Sequence, residues 1–288
     1  MVTIGSIWSG TFRFVRGNVG PALVWGGVIV LVTLISTLVM GPFYQARLAD
    51  LQSGAPPTPH FAAVFLPAIV GVAVFTILWA AVFRAVLFPE ERRFAYMRAG
   101  MDELRLLGTL LVLFVGGYLV VLIVGAIFIG IGYAIGGGIV AVILSLILFC
   151  AIIWAAVRIS PAGPMTILQR KVVIGPAWRL TRGAFWRLFG AYVLLAIAFM
   201  AIYGVVLSLQ MGAILTDMAH PTDPVAAARV AQWQADHYGH FSVWSVLVAL
   251  VTGLFGGFAL AFHAGLTAVA TDQLLGRQGG DHLSEVFE

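Results

Sequence analysis

The chain has 288 residues, of which 61% are hydrophobic and only 10% are charged, with a formal net charge of +4 at pH 7. A soluble domain averages about 25% charged residues, so these totals exclude a water-soluble globular protein and require lipid as part of the solvent. The positive charge indicates basic segments beside an anionic leaflet, and nucleic acid is not an expected partner. The single cysteine, Cys150, excludes an intrachain disulfide and a cysteine metal cluster.

The chain opens with a segment that predicts a helix lying in the membrane interface. In residues 3–18 the apolar side chains recur at helical spacing, and Arg13 and Arg16 supply polar anchors. The first membrane span is predicted at about residues 21–43. A turn-rich loop separates it from the second span, at about residues 61–87.

The next apolar stretch, residues 106–157, carries no charged side chain. It is too long for one span, since about 20 residues cross a bilayer. The glycines at 136–138 are the most plausible turn, which divides the stretch into spans 3 and 4. Span 5 is predicted at about residues 188–209 and span 6 at about residues 241–270, followed by a polar tail over residues 271–288.

Six spans place both termini on one side of the membrane, and the basic residues indicate which side. Of the sixteen Lys and Arg residues, fourteen lie in segments on the side of the termini, and only Arg47 and Arg229 lie opposite. By the positive-inside rule the termini are cytoplasmic. The expected location is a bacterial cytoplasmic (inner) membrane.

Three basic segments resemble one another, and we name them elbow 1 (residues 3–18), elbow 2 (residues 95–108) and elbow 3 (residues 177–190). Elbows 2 and 3 align without gaps, and each runs into an odd-numbered span. Elbow 1 matches elbow 3 more loosely. The pattern predicts one domain, residues 1–288, built from three repeats.

The even-numbered spans repeat as well. Trp-Ala-Ala-Val precedes Arg84 in span 2 and Arg158 in span 4, and His263 takes the matching place in span 6. The predicted fold is therefore all-α and polytopic, with six transmembrane helices as three hairpins, each preceded by a cytoplasmic-side interfacial amphipathic helix. The repeats cover about residues 3–90, 91–160 and 161–275. The alternative is that three similar hairpins simply follow the same interfacial rules.

A family resemblance lies in and around elbow 3, on Arg158, Ser160-Pro161, Pro164, Gly175, Ala177-Trp178, Leu180-Thr181-Arg182-Gly183 and Phe185-Trp186-Arg187. On these residues the chain resembles the multi-pass module known as the glycerophosphoryl diester phosphodiesterase membrane domain, and related uncharacterised bacterial membrane proteins. Some members fuse this module to a catalytic barrel. We find no segment of this chain that would form the barrel, so the resemblance implies a membrane module without the phosphodiesterase activity.

Arg84, Arg158 and His263 are the candidate anion-binding residues, because each lies near the cytoplasmic end of an even span. Cations at membrane depth are costly unless they snorkel or meet an anion. Around a pseudo-threefold axis the three would converge on a phosphate or carboxylate. The alternative is that each snorkels to headgroups or caps helix carbonyls.

Elbow 3 interleaves cations with indole rings, which suits a headgroup layer. The residues expected to anchor there are Trp178, Arg179, Arg182, Trp186 and Arg187. Asp102 and Glu103 in elbow 2 are adjacent, and we expect them to pair with Arg98 or Arg105 rather than to act as catalytic acids.

A D-H-x-x-H pattern formed by Asp236, His237 and His240 precedes span 6. Gly239 weakens a helix at this point and the spacing is not diagnostic of zinc. We therefore expect an exposed, solvated loop and no metal, although whether His220, His237 and His240 bind a metal is left open.

The function we expect is non-enzymatic: binding, moving or organising an anionic lipid or other amphiphile at the cytoplasmic face, with anionic phospholipid as the partner and no cofactor. The alternative is a structural or assembly partner of another membrane protein, or a homo-oligomer. A lipid-modifying enzyme is the weakest hypothesis, because no catalytic motif is present and no carboxylate lies deep in a predicted span beside the three cations.

Overall fold

The computed structural model describes residues 2–54, 61–220 and 222–276, which form helices and no strand. The eleven α-helices of these residues are α1 (Ile4–Gly17), α2 (Val19–Ser53), α3 (Phe61–Leu87), α4 (Met101–Gly136), α5 (Gly138–Ile159), α6 (Ala162–Gln169), α7 (Gly175–Leu180), α8 (Phe185–Met211), α9 (Leu215–Met218), α10 (Pro224–Tyr238) and α11 (Val243–Leu274). Six of them, α2, α3, α4, α5, α8 and α11, are long and apolar enough to cross a membrane. The protein is thus all-helical and multi-pass.

The turn predicted within the long uncharged stretch is confirmed. Helix α4 ends at Gly136 and α5 begins at Gly138. Gly137 between them has φ 70°, a conformation that glycine adopts without steric cost. Close to this turn the two helices nearly touch, because a Cβ atom at Gly132 would lie 2.4 Å from the Cα atom of Ala141.

Two elements differ from the sequence prediction. Helix α2 continues to Ser53, ten residues beyond the predicted end of span 1. The segment predicted as the second outer loop holds α10, whose first turn is capped by the Asp223 carboxylate accepting from the backbone N–H of Val225 at 2.9 Å. Residues 55–60 of the first outer loop and residues 277–288 of the predicted tail lie outside the described residues.

Elbow 2 is also organised differently from the predicted separate interfacial helix. Its second half forms the first turns of α4, which begins at Met101 with Asp102 and Glu103 near the positive end of the helix dipole. Its first half belongs to a short turn in which Phe94, Ala95 and Tyr96 have φ of 50°, 51° and 63°. A left-handed conformation costs a residue with a side chain about 1–2 kcal/mol.

The chain divides into two compact units. Among the described residues, the first comprises 2–17, Thr76–Val193 and 262–276, and the second comprises those of 18–75 and 194–261. Elbows 2 and 3 and residues 3–17 of elbow 1 belong to the first unit, and so do Arg84, Arg158 and His263.

In the first unit, α1 buries one side, formed by Ile7, Thr11 and Val15. Ser6 and Gln273 join α1 to α11 through two hydrogen bonds: the Ser6 hydroxyl donates to Gln273 Oε1 at 3.0 Å, and Gln273 Nε2 donates to the Ser6 carbonyl at 2.9 Å. The start of the described chain is therefore tied directly to its last helix.

In the second unit, α2 and α11 pack through small residues. A Cβ atom at Gly257 would lie 2.4 Å from the Ala22 carbonyl oxygen and 2.5 Å from the Gly26 backbone nitrogen. One at Gly253 would lie 2.7 Å from the Val30 nitrogen. Gly253 and Gly257 form a GxxxG motif, which allows two membrane helices to approach backbone to backbone.

Helix α10 packs on the end of α2 by the same means. The Cβ position of Gly41 lies 2.9 Å from the Gly239 carbonyl oxygen. Gln45 Nε2 donates to the carbonyl of Ala235 at 3.0 Å, and Ala235 is buried together with Ala231. The part of the chain predicted to be solvated loop is therefore an ordered helix laid against α2.

Candidate functional site

Arg84 lies in the last turn of α3, in a buried polar cluster. Its Nη2 donates to Glu103 Oε1, and the two side chains are only 4% and 8% exposed. Its Nη1 donates to the backbone carbonyl of Tyr96 at 3.2 Å. The guanidinium charge is therefore already compensated by a carboxylate of the same chain.

The predicted partners of the two adjacent acids in elbow 2 are half correct. Asp102 accepts from Arg105 at 2.8 Å, as predicted. The prediction for Glu103 was wrong: it meets Arg84, and Arg98 pairs instead with Glu91 at 2.9 Å. The reason is geometric, because adjacent helix residues point in different directions and Glu103 is the one that faces α3.

Arg158 lies in the last turn of α5 and is bound by residues of elbow 3. Its Nε donates to Thr181 Oγ1 at 2.9 Å and its Nη2 donates to the Trp178 carbonyl at 2.7 Å. The guanidinium carbon lies 4.7 Å from the centre of the Trp178 ring and 5.5 Å from that of Trp154. This geometry combines cation–π attraction with hydrogen bonds, and it fixes the position of the charge.

Arg84 and Arg158 make equivalent contacts. In the gapless alignment of elbows 2 and 3, Tyr96 takes the place of Trp178. Each arginine donates to the backbone carbonyl of that elbow aromatic, over a separation of 12 and 20 residues respectively. The contact itself was not predicted from the sequence, although the equivalent positions of arginine and aromatic in the alignment could have indicated it.

His263 lies in α11 with an exposed side chain, and its ring meets the Trp79 ring edge-to-face at a centroid distance of 5.3 Å. The contacts of Arg84, Arg158 and His263 thus lead to three different sets of partners. Their convergence on one ligand stays a prediction.

The cations around elbow 3 are arranged differently from Arg84. The residues concerned are exposed: Arg170, Lys171, Arg179, Arg182 and Arg187. Within the described part of the chain, the ion pairs are those of Arg84, Arg98, Arg105 and Arg229, so none of these five has a carboxylate partner. Trp186 stands among them with 76% of its side chain exposed. We name these six residues the basic elbow surface.

The local fold explains why these side chains face outward. Helix α7 starts with Pro176 in its first turn, and α8 starts at Phe185 after Gly183 turns the chain at φ 81°. The buried residues here are small or apolar: Ala177 in α7, Ala184 just before α8, and Leu188 in α8. Of the anchoring residues predicted in elbow 3, Trp178 supports Arg158, whereas the other four belong to the basic elbow surface.

On the opposite side of the predicted topology, His237 is packed between two indoles. Its ring stacks on Trp233 at a centroid distance of 4.4 Å and meets Trp244 at 5.5 Å. Among the residues that the structure describes, no group of three potential ligands surrounds a metal position. Whether His220, His237 and His240 bind a metal stays an open prediction, and the ring of His237 serves packing.

An exposed ion pair joins two short helices on that side. Arg229 of α10 donates from Nε and Nη2 to the Asp217 carboxylate of α9, at 2.9 and 2.5 Å. The hydrogen bond to Asp217 raises the pKa of the Arg229 guanidinium. Arg229 is therefore charged and paired with a carboxylate, in contrast with the cations of the basic elbow surface.

No protein-family model, curated protein or solved structure matches this chain. The resemblance to the glycerophosphoryl diester phosphodiesterase membrane domain therefore stays a prediction.

The Thr181 hydroxyl makes two hydrogen bonds to Arg158: it accepts from Nε at 2.9 Å and donates to the Arg158 carbonyl at 3.0 Å. Thr181→Val keeps the shape but leaves the Nε donor unmatched. We expect the free energy of unfolding to fall by about 1–3 kcal/mol, measured by SDS-induced unfolding followed by tryptophan fluorescence. Thr222→Val, at an exposed threonine, is the control and should change little. An equal effect of the two substitutions would contradict the assigned role.

Proposed function

We propose that the protein is a non-enzymatic integral membrane protein that binds anionic phospholipid headgroups at the basic elbow surface, on the cytoplasmic side of a bacterial inner membrane. The observation that carries the proposal is the set of five exposed cations without a carboxylate partner, grouped around an exposed indole.

The chemistry of this surface supports a headgroup partner. Each basic side chain near an anionic leaflet contributes about 1 kcal/mol of attraction, and tryptophan prefers the boundary between headgroups and acyl chains. Trp186 and Arg187 lie in the first turn of α8, at the end of a helix long enough to cross the membrane. This position supports a contact between the cations and the phosphates of the bilayer.

Arg84 supports the proposal by contrast. It is buried and bound to Glu103, so an incoming phosphate would have to displace a carboxylate that is already desolvated. Arg158 is fixed by Trp178 and Thr181 and shapes elbow 3 from within. The proposed binding site is therefore the basic elbow surface, and it does not include Arg84, Arg158 or His263.

The proposal predicts selective loss of anionic lipid from one variant. In Arg179→Gln/Arg182→Gln/Arg187→Gln, three unmatched charges are removed from exposed positions. We expect the relative association constant of spin-labelled phosphatidylglycerol over phosphatidylcholine to fall about tenfold or more, given about 1 kcal/mol per cation. The measurement is the motionally restricted fraction of the lipid label in reconstituted bilayers, at low and high salt.

The matched control removes the same number of charges from arginines that already have an acid partner. In Arg98→Gln/Arg105→Gln/Arg229→Gln, the partners left behind are Glu91, Asp102 and Asp217. Because exposed ion pairs contribute little, the association constant should stay within about twofold of wild type. An equal fall in both variants would reduce the effect to net charge and contradict a specific surface.

A second candidate function is assembly with another membrane protein or a second copy. It is favoured by one observation: residues 110–131 of α4 contain no buried residue, although the helix is among the most apolar of the chain. Single-molecule photobleaching of labelled protein in dilute bilayers separates the two functions. A single bleaching step would indicate a monomer whose α4 contacts lipid, and two or more steps would support assembly.

A further inference from the structure

The connection between α3 and α4 contains a backbone conformation that ordinary residues avoid. Phe94, Ala95 and Tyr96 follow one another with φ of 50°, 51° and 63°, in the left-handed region. None of them is a glycine, so the arrangement persists only because surrounding contacts enforce it.

Those contacts can be named. Arg84 Nη1 donates to the Tyr96 carbonyl at 3.2 Å, and the Tyr96 hydroxyl donates to the Pro89 carbonyl at 3.1 Å. Tyr96 is buried, with 1% of its surface exposed. The turn is therefore fastened on its inner side by a buried tyrosine and a buried arginine.

The outward consequence of this turn is Phe94. With Tyr96 held inside, Phe94 is displayed with 85% of its side chain exposed, the largest exposed fraction among the large apolar side chains that the structure describes. Arg92 and Arg93 precede it and are exposed as well. In water this arrangement would cost free energy twice, once for the strained backbone and once for the hydration of the apolar ring.

From these observations we infer that Phe94, flanked by Arg92 and Arg93, is an interfacial anchor that inserts into the headgroup region of an anionic lipid leaflet. The turn joins the ends of two helices that are each long enough to span the membrane, so it lies at the level of the interface. An apolar ring with adjacent cations matches that layer, where the ring reaches the acyl boundary and the cations meet phosphates.

Arg84 acquires a role in this arrangement as a positioning residue. It bridges the Glu103 carboxylate and the Tyr96 carbonyl, and so it connects the start of α4 to the turn that displays Phe94. Arg84→Lys keeps the positive charge beside Glu103, but a single ammonium cannot reproduce the two-pronged contact of a guanidinium. In that variant the turn relaxes and Phe94 moves toward water.

The lone cysteine of the chain makes the inference testable at one position. In a Cys150→Ser background, Phe94→Cys carries a nitroxide label in phosphatidylglycerol-containing bilayers, and collision with oxygen or a nickel chelate reports depth. Two reference labels bracket the scale: native Cys150, exposed on membrane helix α5, and Ala228→Cys, exposed on α10. We expect the label at 94 to lie about 5–10 Å below the aqueous boundary, and the added Arg84→Lys change to shift it toward the value at 228.

Each other outcome overturns the inference. A label at 94 as accessible to the nickel chelate as the label at 228 would show that the ring faces water. Dipolar broadening between labels at 94 would show that a second copy covers it. An unchanged depth in the Arg84→Lys variant, with the label at 150 also unchanged, would remove the positioning role. Equal depth in phosphatidylcholine alone would remove the requirement for anionic lipid. The inference does not rest on the basic elbow surface, whose arginines stay intact throughout.

Discussion

Gly257→Leu should lower the free energy of unfolding by about 1–3 kcal/mol or more, because it places a large side chain where two helix backbones meet. The Cβ atom alone would lie 2.4 Å from the Ala22 carbonyl oxygen and 2.5 Å from the Gly26 nitrogen. Backbone atoms cannot rotate away as a flexible side chain can. Helices α2 and α11 would have to move apart, and the neighbouring contact between Gly253 and Val30 would be lost as well.

The control for this substitution is Gly27→Leu. Gly27 neighbours Gly26 in α2, but its Cβ position has no atom within 4 Å, so leucine enters open space there. Unfolding of both variants in SDS, followed by tryptophan fluorescence, gives the two free energies. Equal stability of the two leucine variants would contradict the close α2–α11 contact.

Arg84→Met should be the second severe change, lowering the free energy of unfolding by about 3–5 kcal/mol. Breaking a buried ion pair leaves the other charge desolvated and unmatched, which costs more than the pair itself contributes. Here the charge left behind is Glu103, whose second oxygen, Oε2, is buried without a hydrogen-bond partner in the described structure. The Tyr96 carbonyl loses its donor in the same step.

The double variant Arg84→Met/Glu103→Leu distinguishes pairing from packing. Replacing both partners by apolar residues removes the unmatched charge, so most of the lost stability should return. The two single variants and the double variant form a cycle whose coupling free energy is read from the same SDS titrations. Additive effects of the two substitutions would show that Arg84 and Glu103 do not interact.

Much of the fold follows from composition and glycine position. The bounds predicted for span 2 coincide with α3, because the charges after Pro89 and the loop before Phe61 delimit it on both sides. The turn at Gly137 follows from the length of the uncharged stretch. The GxxxG motif of α11 is also visible in the sequence, and such a motif indicates a close contact between two membrane helices.

Other features depend on contacts that sequence patterns do not encode. Helix α10 buries Ala226, Ala231 and Ala235, a face too weakly apolar to indicate a helix, although Asp223 followed by Pro224 is a recognisable start. Its stability comes from α2, which reaches beyond the apolar stretch. Glu103 lies 19 residues after Arg84 and reaches it across a left-handed turn between α3 and α4. No propensity scale predicts three left-handed residues in succession.

Arg158 shows how far reasoning from sequence reaches into the candidate site. Its position at a span end and its neighbours Trp154 and Trp178 were visible in the alignment. The hydrogen bond from Arg158 to Thr181 was not visible there, because it forms only when elbow 3 folds back on α5. Which arginines form an ion pair with a carboxylate likewise becomes clear only from the three-dimensional structure.

The central claim is that the basic elbow surface holds an anionic lipid in the natural membrane. Native mass spectrometry of protein gently released from that membrane tests it most directly, with wild type beside the triple glutamine variant of Arg179, Arg182 and Arg187 and the control variant of Arg98, Arg105 and Arg229. We expect wild type and control to carry a discrete anionic phospholipid that the elbow variant lacks. The same lipid retained by all three proteins, or bare protein in every sample, would contradict the claim.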